Sequence, residues 1–480
     1  MSKNFQDFNL DNNIIKALSN MGYNSPTTVQ EKTLDIFLNR EDMVVKSKTG
    51  SGKTASFGIP LCSMIDASKS DIQGLILVPT RELALQVQEE ISNIGRLNKV
   101  RAVAVFGKQP FTQQAQQLKQ RVHIVVGTPG RVMDHIERGT IDLTNVSSVV
   151  IDEADKMLNM GFISQVEGIL DRIKTKHNLS LYSATMPEEI KKICTKYMEN
   201  PNDITIEGDS SSNLNIKEEY IVTDKDDKLS TLLDIIYSSN PDACIVFCNT
   251  KDKVKEVYSF LKKKDVLTAQ IHGDMLQNDR LKTMERFKNK EYKVLVATDV
   301  AARGIHIDHI SHVINYEIPF EKESYVHRIG RTGRNGSYGE AINIITSNAI
   351  RYIEDIAEYT GRNILEADYP SVDKIELGKE EFLKSQQKFA MKTGVEKKKI
   401  HTEVIKIHVN GGKRKKIRAL DIVGCFSNLS DLTGEDIGII DIQDGHSYVD
   451  ILNGKGRDIL KKYKEVSIKG KKVSISNAKK

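Results

Sequence analysis

Two short stretches carry residue types that could do chemistry together. The first is Ser47-Lys48-Thr49-Gly50-Ser51-Gly52-Lys53-Thr54, which follows the apolar run Met43-Val44-Val45 and precedes a helix expected from about Ala55. A strand, a glycine-bearing loop and a helix in that order form the context of a phosphate-binding loop. The glycines let backbone N–H groups turn toward one anionic centre, and the helix N-terminus adds partial positive charge. Lys53 would reach the β/γ-phosphates of a nucleotide, and the Thr54 hydroxyl would ligate Mg²⁺. The general pattern begins with Gly, where this chain has Ser47. The second stretch is Asp152-Glu153-Ala154-Asp155, directly after Val149-Val150-Ile151. An acidic residue at the C-terminal end of a parallel strand, beside a phosphate loop, can hold Mg²⁺ largely through water. The adjacent Glu153 can orient and deprotonate an attacking water. Alone, the first stretch could be a Gly/Ser turn and the second a solvated acidic turn. Placed at strand ends of one domain, they read as a nucleotide site.

The elements that must position these residues are legible as alternation. Residues 1–40 read as helices with a turn at Met21-Gly22-Tyr23. From 43 to about 207, apolar runs at Met43–Val45, Leu75–Val78, Ala102–Phe106, Ile124–Val126 and Val149–Ile151 alternate with helical patterns. Continuous apolar strands suit a parallel sheet covered on both faces, so a doubly wound α/β domain is expected. Residues 208–216 are polar and read as a linker. A second α/β domain follows over 217–365, with strands at Cys244–Phe247, Thr268–Ile271, Val294–Ala297, His312–Asn315 and Ala341–Ile345 and no phosphate loop of its own. Residues 366–400 read as a charged, partly helical spacer. Over 401–480 the pattern becomes strand, helix, two strands, helix, strand, with helices at Ile417–Phe426 and Arg457–Tyr463. That order, with a basic face, fits a small α+β domain of the RNA-recognition type. Its stacking aromatics are sparse: Tyr448 on the third strand and His408 on the first.

Composition narrows the class. The chain has 480 residues, 39% hydrophobic and 28% charged, enough for about three domains. The N-terminal segment is polar and acid-containing, no apolar run approaches membrane-spanning length, and the five cysteines are scattered without zinc spacing. A cytoplasmic protein without membrane contact, and with no obligate protein partner evident, is the expectation. The net charge of +5 is uneven: residues 401–480 hold 16 Lys and Arg against 10 Asp and Glu, and the other 400 residues hold 54 against 55. The basic character therefore belongs to the C-terminal segment and points to an acidic partner there, although a solubilising tail would have the same composition.

With Asp152-Glu153-Ala154-Asp155 in place, the sequence resembles the DEAD-box RNA helicases through nearly the whole of residues 5–345. The resemblance implies two tandem RecA-like domains, ATP and Mg²⁺ as cofactors, and RNA-dependent ATP hydrolysis coupled to local unwinding of short RNA duplexes. Asp152 matches the family's metal-associated residue and Glu153 its water-activating one. Phe5, Tyr23, Pro26 and Gln30 match an adenine-reading motif over residues 5–30, where a Gln amide meets the base edge and an aromatic stacks on the ring. Pro79-Thr80-Arg81, Gly107 and Thr128-Pro129-Gly130-Arg131 match loops that grip the RNA backbone. Ser183-Ala184-Thr185 matches the motif that couples hydrolysis to strand separation. In the second domain, Thr250, Gly273, Thr298 and Arg303 match RNA contacts, and Asp299 and Gly304 lie in a loop that touches both RNA and nucleotide. Arg331 and Arg334 match the family's arginine fingers, which meet charge developing on the γ-phosphate, and His327 matches a residue that links the nucleotide and RNA sites. One position departs: the family usually has Asp where this chain has His306, a ribose-side contact. A neutral imidazole still accepts one hydrogen bond, so retained ATPase with weaker or more pH-sensitive nucleotide binding is expected.

The C-terminal segment, with Lys413-Arg414-Lys415-Lys416, Arg418 and Lys455 as candidate RNA contacts, looks like that of the DbpA (YxiN-like) subfamily. That resemblance implies binding to large-subunit (23S) ribosomal RNA and a role in large-subunit assembly. A competing reading is an rRNA-binding assembly factor with weak or vestigial ATPase. Intact Lys53, Glu153, Arg331 and Arg334 count against it. A DNA helicase is disfavoured by the DEAD-box pattern.

Overall fold

The computed structural model describes residues 3–47, 51–206, 215–299, 310–333, 337–391, 403–429 and 432–478. The chain divides into two units: Met1–Glu207 with Lys398–Lys480, and Gly208–Lys397.

In the first unit, β1 (Met43–Lys46), β2 (Gly74–Leu77), β3 (Ala102–Val105), β4 (Ile124–Gly127), β5 (Ser148–Ile151), β6 (Asn178–Ser183) and β7 (Asn202–Thr205) form one parallel sheet in the order β3-β4-β2-β5-β6-β1-β7. Side chains alternate across it. Met43, Val45 and Ile76 join one buried cluster with helices Thr28–Leu38, Lys53–Met64 and Arg81–Ile94. Val44, Leu75 and Leu77 join the other, with helices Pro129–Glu137, Ile163–Leu170 and Glu188–Tyr197. Helices on both faces of a parallel sheet are what the apolar runs predict. The sequence reading did not mark β6, because Asn178-Leu179-Ser180-Leu181-Tyr182-Ser183 alternates polar and apolar residues. All six are buried. Ser148 Oγ donates to Asn178 Oδ1 at 2.7 Å, Ser56 Oγ donates to Tyr182 Oη at 3.1 Å and Ser183 Oγ donates to Thr185 O at 2.6 Å, whereas Ser180 Oγ is buried without a partner among the described residues.

The second unit repeats the design. Its strands β8 (Ile216–Val222), β9 (Cys244–Cys248), β10 (Thr268–Ile271), β11 (Val294–Thr298), β12 (His312–Asn315), β13 (Gly339–Ile345) and β14 (Leu365–Glu366) lie in the order β10-β11-β9-β12-β13-β8-β14. The charged segment read as a spacer is different in kind. It holds a 20-residue helix, Val372–Met391. That helix inserts Phe382, fully buried, against Tyr237 with ring centroids 5.7 Å apart. Gln386 Oε1 accepts from Leu267 N–H and Gln386 Nε2 donates to Asp265 O at 3.1 Å. A charged surface hid one buried face, by which Val372–Met391 packs on the second unit through Phe382 and Gln386.

The C-terminal sheet is antiparallel, in the order β16-β17-β15-β19-β18, from β15 (Ile405–Val409), β16 (Ile437–Ile442), β17 (Ser447–Ile451), β18 (Glu465–Ile468) and β19 (Lys471–Asn477). Helices Ala419–Ser427 and Gly456–Lys462 cover one face through Ile422, Phe426 and Ile459. The expected six-element order gains one strand. Lys469 (φ 55°) and Gly470 (φ 73°) close a two-residue hairpin between β18 and β19, the positive-φ pair that suits such a turn. Glu465-Val466-Ser467-Ile468 buries only Val466 and Ile468, too little apolar signal to read as a strand.

Candidate active site and nucleic-acid interface

The expected phosphate loop and acid pair lie at the C-terminal ends of β1 and β5. Lys48, Thr49 and Gly50 lie outside the described residues. Ser47 N–H donates to Ser183 O at 3.0 Å, and Lys53 Nζ, buried, donates to Ser47 O at 3.0 Å. Gly52 starts the helix in the left-handed region (φ 91°). A Cβ there would meet Gln30 Nε2 at 2.8 Å and Thr27 Oγ1 at 2.9 Å, so only glycine fits. These two side chains brace the loop. Thr27 Oγ1 donates to Ser51 O at 3.0 Å, and Gln30 Nε2 donates to Gly52 O at 3.2 Å while its Oε1 accepts from Thr27 N–H at 3.0 Å. Sequence reading gave Gln30 to adenine alone. The structure gives it a second attachment, to the loop that would hold the phosphates. Its amide keeps a further N–H and an acceptor lone pair for a base edge. Phe5 is buried in the adjoining core, and Tyr23 donates to Glu90 Oε1 at 3.2 Å.

Asp152 and Glu153 are both about 3% exposed. Burial lifts the Asp152 carboxyl to about 6, and nearby Lys53 opposes the shift. Glu153 adopts the left-handed region (φ 54°, ψ 49°), a conformation that non-glycine residues adopt at a cost, and its carboxylate pairs with Lys156. Two buried carboxylates, each with a lysine beside it, form a hard-oxygen donor set, which fits a divalent cation. Among the described residues no cluster of three metal-ligating side chains exists. A cation here would therefore take most of its ligands from water and phosphate, as Mg²⁺ does.

Asp155 is the residue that sequence reading missed. Its Oδ2 accepts from Ala184 N–H at 3.2 Å, Thr185 N–H at 3.1 Å and Thr185 Oγ1 at 3.2 Å. Ser183 Oγ receives Asp155 N–H at 3.2 Å and donates to Thr185 O at 2.6 Å. The acidic stretch and the Ser183–Thr185 turn are thus one hydrogen-bonded body. Only the tetrapeptide itself carried that signal.

The candidate RNA contacts of the first unit occupy loops after three adjacent strands, β3, β4 and β2. Thr80 Oγ1 accepts from Leu83 N–H at 3.3 Å and caps its helix, and a Cβ on Gly107 would stand 3.6 Å from Arg81 Nη2, so that guanidinium lies over the glycine. Thr128 stands at the N-cap position of helix Pro129–Glu137 without a side-chain capping bond, and no described heavy atom lies within 4 Å of a Cβ on Gly130. Arg131 is turned inward: its Nη1 donates to Gln109 O at 3.0 Å and Gln114 Oε1 at 3.1 Å. It shapes this loop as well as edging it.

In the second unit, Thr250 and Gly273 are exposed at the ends of β9 and β10, with Thr298 ending β11. Arg303, Gly304, His306 and Arg334 lie outside the described residues. His327 is in the last turn of helix Lys322–Ile329, and Arg331, 6% exposed, follows it. Asp299, expected at the nucleotide, is gripped at both oxygens by Arg328, 2.5 and 2.6 Å away. The same guanidinium reaches Asn315 Oδ1, Glu317 O and Asn249 Oδ1, so all five of its N–H groups are used. No spacing rule distinguishes this arginine from its neighbours Arg331 and Arg334.

In the C-terminal domain, Lys413, Arg414, Lys416 and Arg418 are exposed, and Lys415 Nζ donates to Asn410 O at 2.8 Å. Lys455 differs from them: its Nζ is 2.7 Å from Asp436, whose carboxylate is held well below the ordinary range despite burial by Asn453, Lys455 and Thr433.

Three regions match known families: DEAD/DEAH box helicase over residues 27–193, helicase conserved C-terminal domain over 227–336, and DbpA RNA binding domain over 406–477. The chain is 47% identical over 476 residues to the ATP-dependent RNA helicase DbpA of Bacillus subtilis (strain 168), covering 99% of each. It is 41% identical over 374 residues to the DEAD-box ATP-dependent RNA helicase CshA of the same organism, covering 78% of this chain and 76% of that one. Among solved structures, S. cerevisiae Dbp5 bound to RNA and ADP BeF3 matches at 28% identity and a TM-score of 0.69, over 81% of this chain and all of that one. Strand-end chemistry, paired parallel sheets and a relative matched end to end converge: the chain belongs to the DEAD-box ATP-dependent RNA helicases, in the subfamily with a DbpA RNA-binding domain.

Proposed function

We propose that this helicase acts on large-subunit (23S) ribosomal RNA and its assembly intermediates in the cytoplasm. The C-terminal domain would bring it there. The observation that carries this reading is the exposed Lys413–Arg418 stretch on a DbpA RNA-binding domain, in a chain 47% identical to a DbpA helicase along its length. Exposed cations supply phosphate contacts, so affinity should fall steeply with salt. Among the described residues no helix is long and apolar enough to cross a membrane.

For hydrolysis, the first unit's residues take the roles their environment suits. Lys53 and the loop N–H groups bind the phosphates, and Gln30 and Tyr23 hold the base. Thr54 and Asp152 would hold Mg²⁺, which neutralises phosphate charge when bound. Glu153, anchored by Lys156, orients water and takes its proton. Asp155 carries a change at this site to Ser183 and Thr185. Arg331 and Arg334, from the second unit, stabilise charge developing on the γ-phosphate. The expected consequence is local separation of short duplexes.

Crosslinking the full-length chain to RNA in cells, followed by mapping of the joined nucleotides, tests the target. Enrichment in large-subunit rRNA, lost on replacing Lys413, Arg414 and Lys416 with Ala, is expected. Enrichment elsewhere would refute the target without touching the helicase assignment.

A further inference from the structure

Within the first unit, the C-terminal sheet lies against the β3 side of the parallel sheet. Arg96 grips Asp450 with two hydrogen bonds, at 3.1 and 3.2 Å, and Arg101 binds Asp441 at 3.0 Å and Ile440 O at 3.2 Å. The Gln120 amide then treats the edge strand β16 as another strand would. It accepts from Ile442 N–H at 3.2 Å and donates to Ile442 O at 3.3 Å. The contact is polar, and it leaves a furrow. One stretch of about 390 Å³ runs from Phe106 and Gln109 to Lys406 and Asp450. Another, of about 270 Å³, runs on to Lys413 and His446, and the two share Gln113, Gln117 and Asp441.

The walls have a distinct chemistry. Residues 109–120 contain six glutamines, at 109, 113, 114, 116, 117 and 120. Gln113, Gln116 and Gln117 are exposed on this side, on helix Phe111–Leu118. Opposite them His446 lines the furrow, and beside it at the furrow's edge, on the sheet face not covered by helices, half-buried Tyr448 and His408 complete a trio, with ring centroids 5.1 and 5.2 Å from its own. Burial, with His446 adding to it, holds His408 below the ordinary imidazole range, so its ring is neutral at pH 7. The Arg96–Asp450 and Arg101–Asp441 pairs cancel most of the furrow's charge.

We propose that this furrow binds a single-stranded RNA segment, running from the Gly107–Gln109 loop to the Lys413 stretch. Glutamine amides offer both donors and acceptors to base edges, and the trio offers π-faces. Amides and rings together suit unpaired bases, whose Watson–Crick edges and faces are free; in a duplex pairing occupies the former and stacking covers the latter. One end of the furrow adjoins a loop already assigned to backbone contact, the other an exposed lysine cluster. This inference rests on the RNA-helicase assignment and adds a binding site that joins the C-terminal domain to the helicase core.

The test compares two RNA probes on the full-length chain: a blunt duplex, and the same duplex with a single-stranded uridine tail. Wild type should bind the tailed probe about tenfold more tightly, the scale of one or two stacked bases. The gain should fall less with salt than blunt-duplex binding does, because most of the furrow's charge is paired. Replacing Gln113, Gln117 and His446 with Ala should abolish the gain while leaving blunt-duplex affinity in place. Arg101→Glu should also remove it by separating the walls, and adding Asp441→Arg should restore it. No tail gain in wild type, a gain that survives the triple replacement, equal weakening of both probes, or loss without rescue would each overturn the proposal. The probes carry no rRNA sequence, so failure of the rRNA target leaves this result unaffected. Failure of the blunt duplex to stimulate ATP hydrolysis would indict the helicase reading instead.

Discussion

The two parallel sheets have the same strand order, position for position, yet their C-terminal ends treat charge in opposite ways. Where the first sheet ends β5 in Asp152 and Glu153, burial raises the Asp152 carboxyl and Glu153 stands in an unfavourable backbone conformation. Where the second ends the matching strand β12, Asn315 and the Glu317 carbonyl are consumed by Arg328, which also neutralises Asp299. One scaffold thus supports two tasks. The first unit leaves its acid pair at a strand end with only lysines beside it, and the second ties its strand-end acid and asparagines to one guanidinium. At the matching strand ends, a raised carboxyl and a left-handed Glu153 stand in the first unit, and a saturated guanidinium stands in the second.

That contrast can be broken. Arg328→Met leaves Asp299 and two asparagines without their partner, and should destabilise the second unit by about 3–5 kcal/mol with little change in the first. Denaturation followed by probes placed separately in the two units checks it. A concerted loss of both would contradict the division of labour.

The units should also respond to opposite ends of the pH scale. In the first, burial lowers fully buried His135 to about 4, between Thr140 Oγ1 and Gln114 Oε1. The unfolded chain takes up a proton that the folded one refuses, so stability should fall as pH drops from about 6.5 toward 4, by on the order of 3 kcal/mol. In the second, burial lowers Lys293 to about 8, under the Val372–Met391 helix. There stability should rise as pH climbs from about 8 toward 10.5, by a similar amount. His135→Leu and Lys293→Met should each flatten one limb and leave the other. Parallel curves for variant and wild type would show that these groups do not set the limbs.

Smaller effects sharpen the nucleotide end. Gln30→Ala removes the brace on Gly52 as well as the proposed base contact, and should raise the KM for ATP about three- to tenfold with kcat less affected. An unchanged KM would deny the brace. The smallest effect expected is from His306→Asp, a tighter and less pH-dependent KM for ATP. An identical pH profile would remove His306 from the account.

Much of this organisation could be read from sequence because parallel strands buried on both faces are written as apolar runs, with reactive residues at their ends. Met43–Val45 before Ser47 and Val149–Ile151 before Asp152 are of this kind. What escaped was burial satisfied by hydrogen bonds rather than by hydrophobicity. Asn178–Ser183 hides a central strand behind serines and an asparagine. Val372–Met391 hides Phe382 and Gln386 on a charged helix. Arg328 and Asp155 resemble their charged neighbours until partners from distant strands appear. The seam that Arg96, Arg101 and Gln120 make with the C-terminal domain joins residues more than 300 positions apart, beyond any local pattern.

In the proposed mechanism the first unit's buried acid pair performs RNA-dependent hydrolysis. Steady-state ATP hydrolysis by wild type and Glu153→Gln, with and without RNA, tests it most directly, alongside ATP binding by each. RNA should stimulate the wild type, and the variant should bind ATP yet lose about 10²–10⁴-fold in kcat. Comparable RNA-stimulated turnover in the variant, or no stimulation in the wild type, would contradict the account.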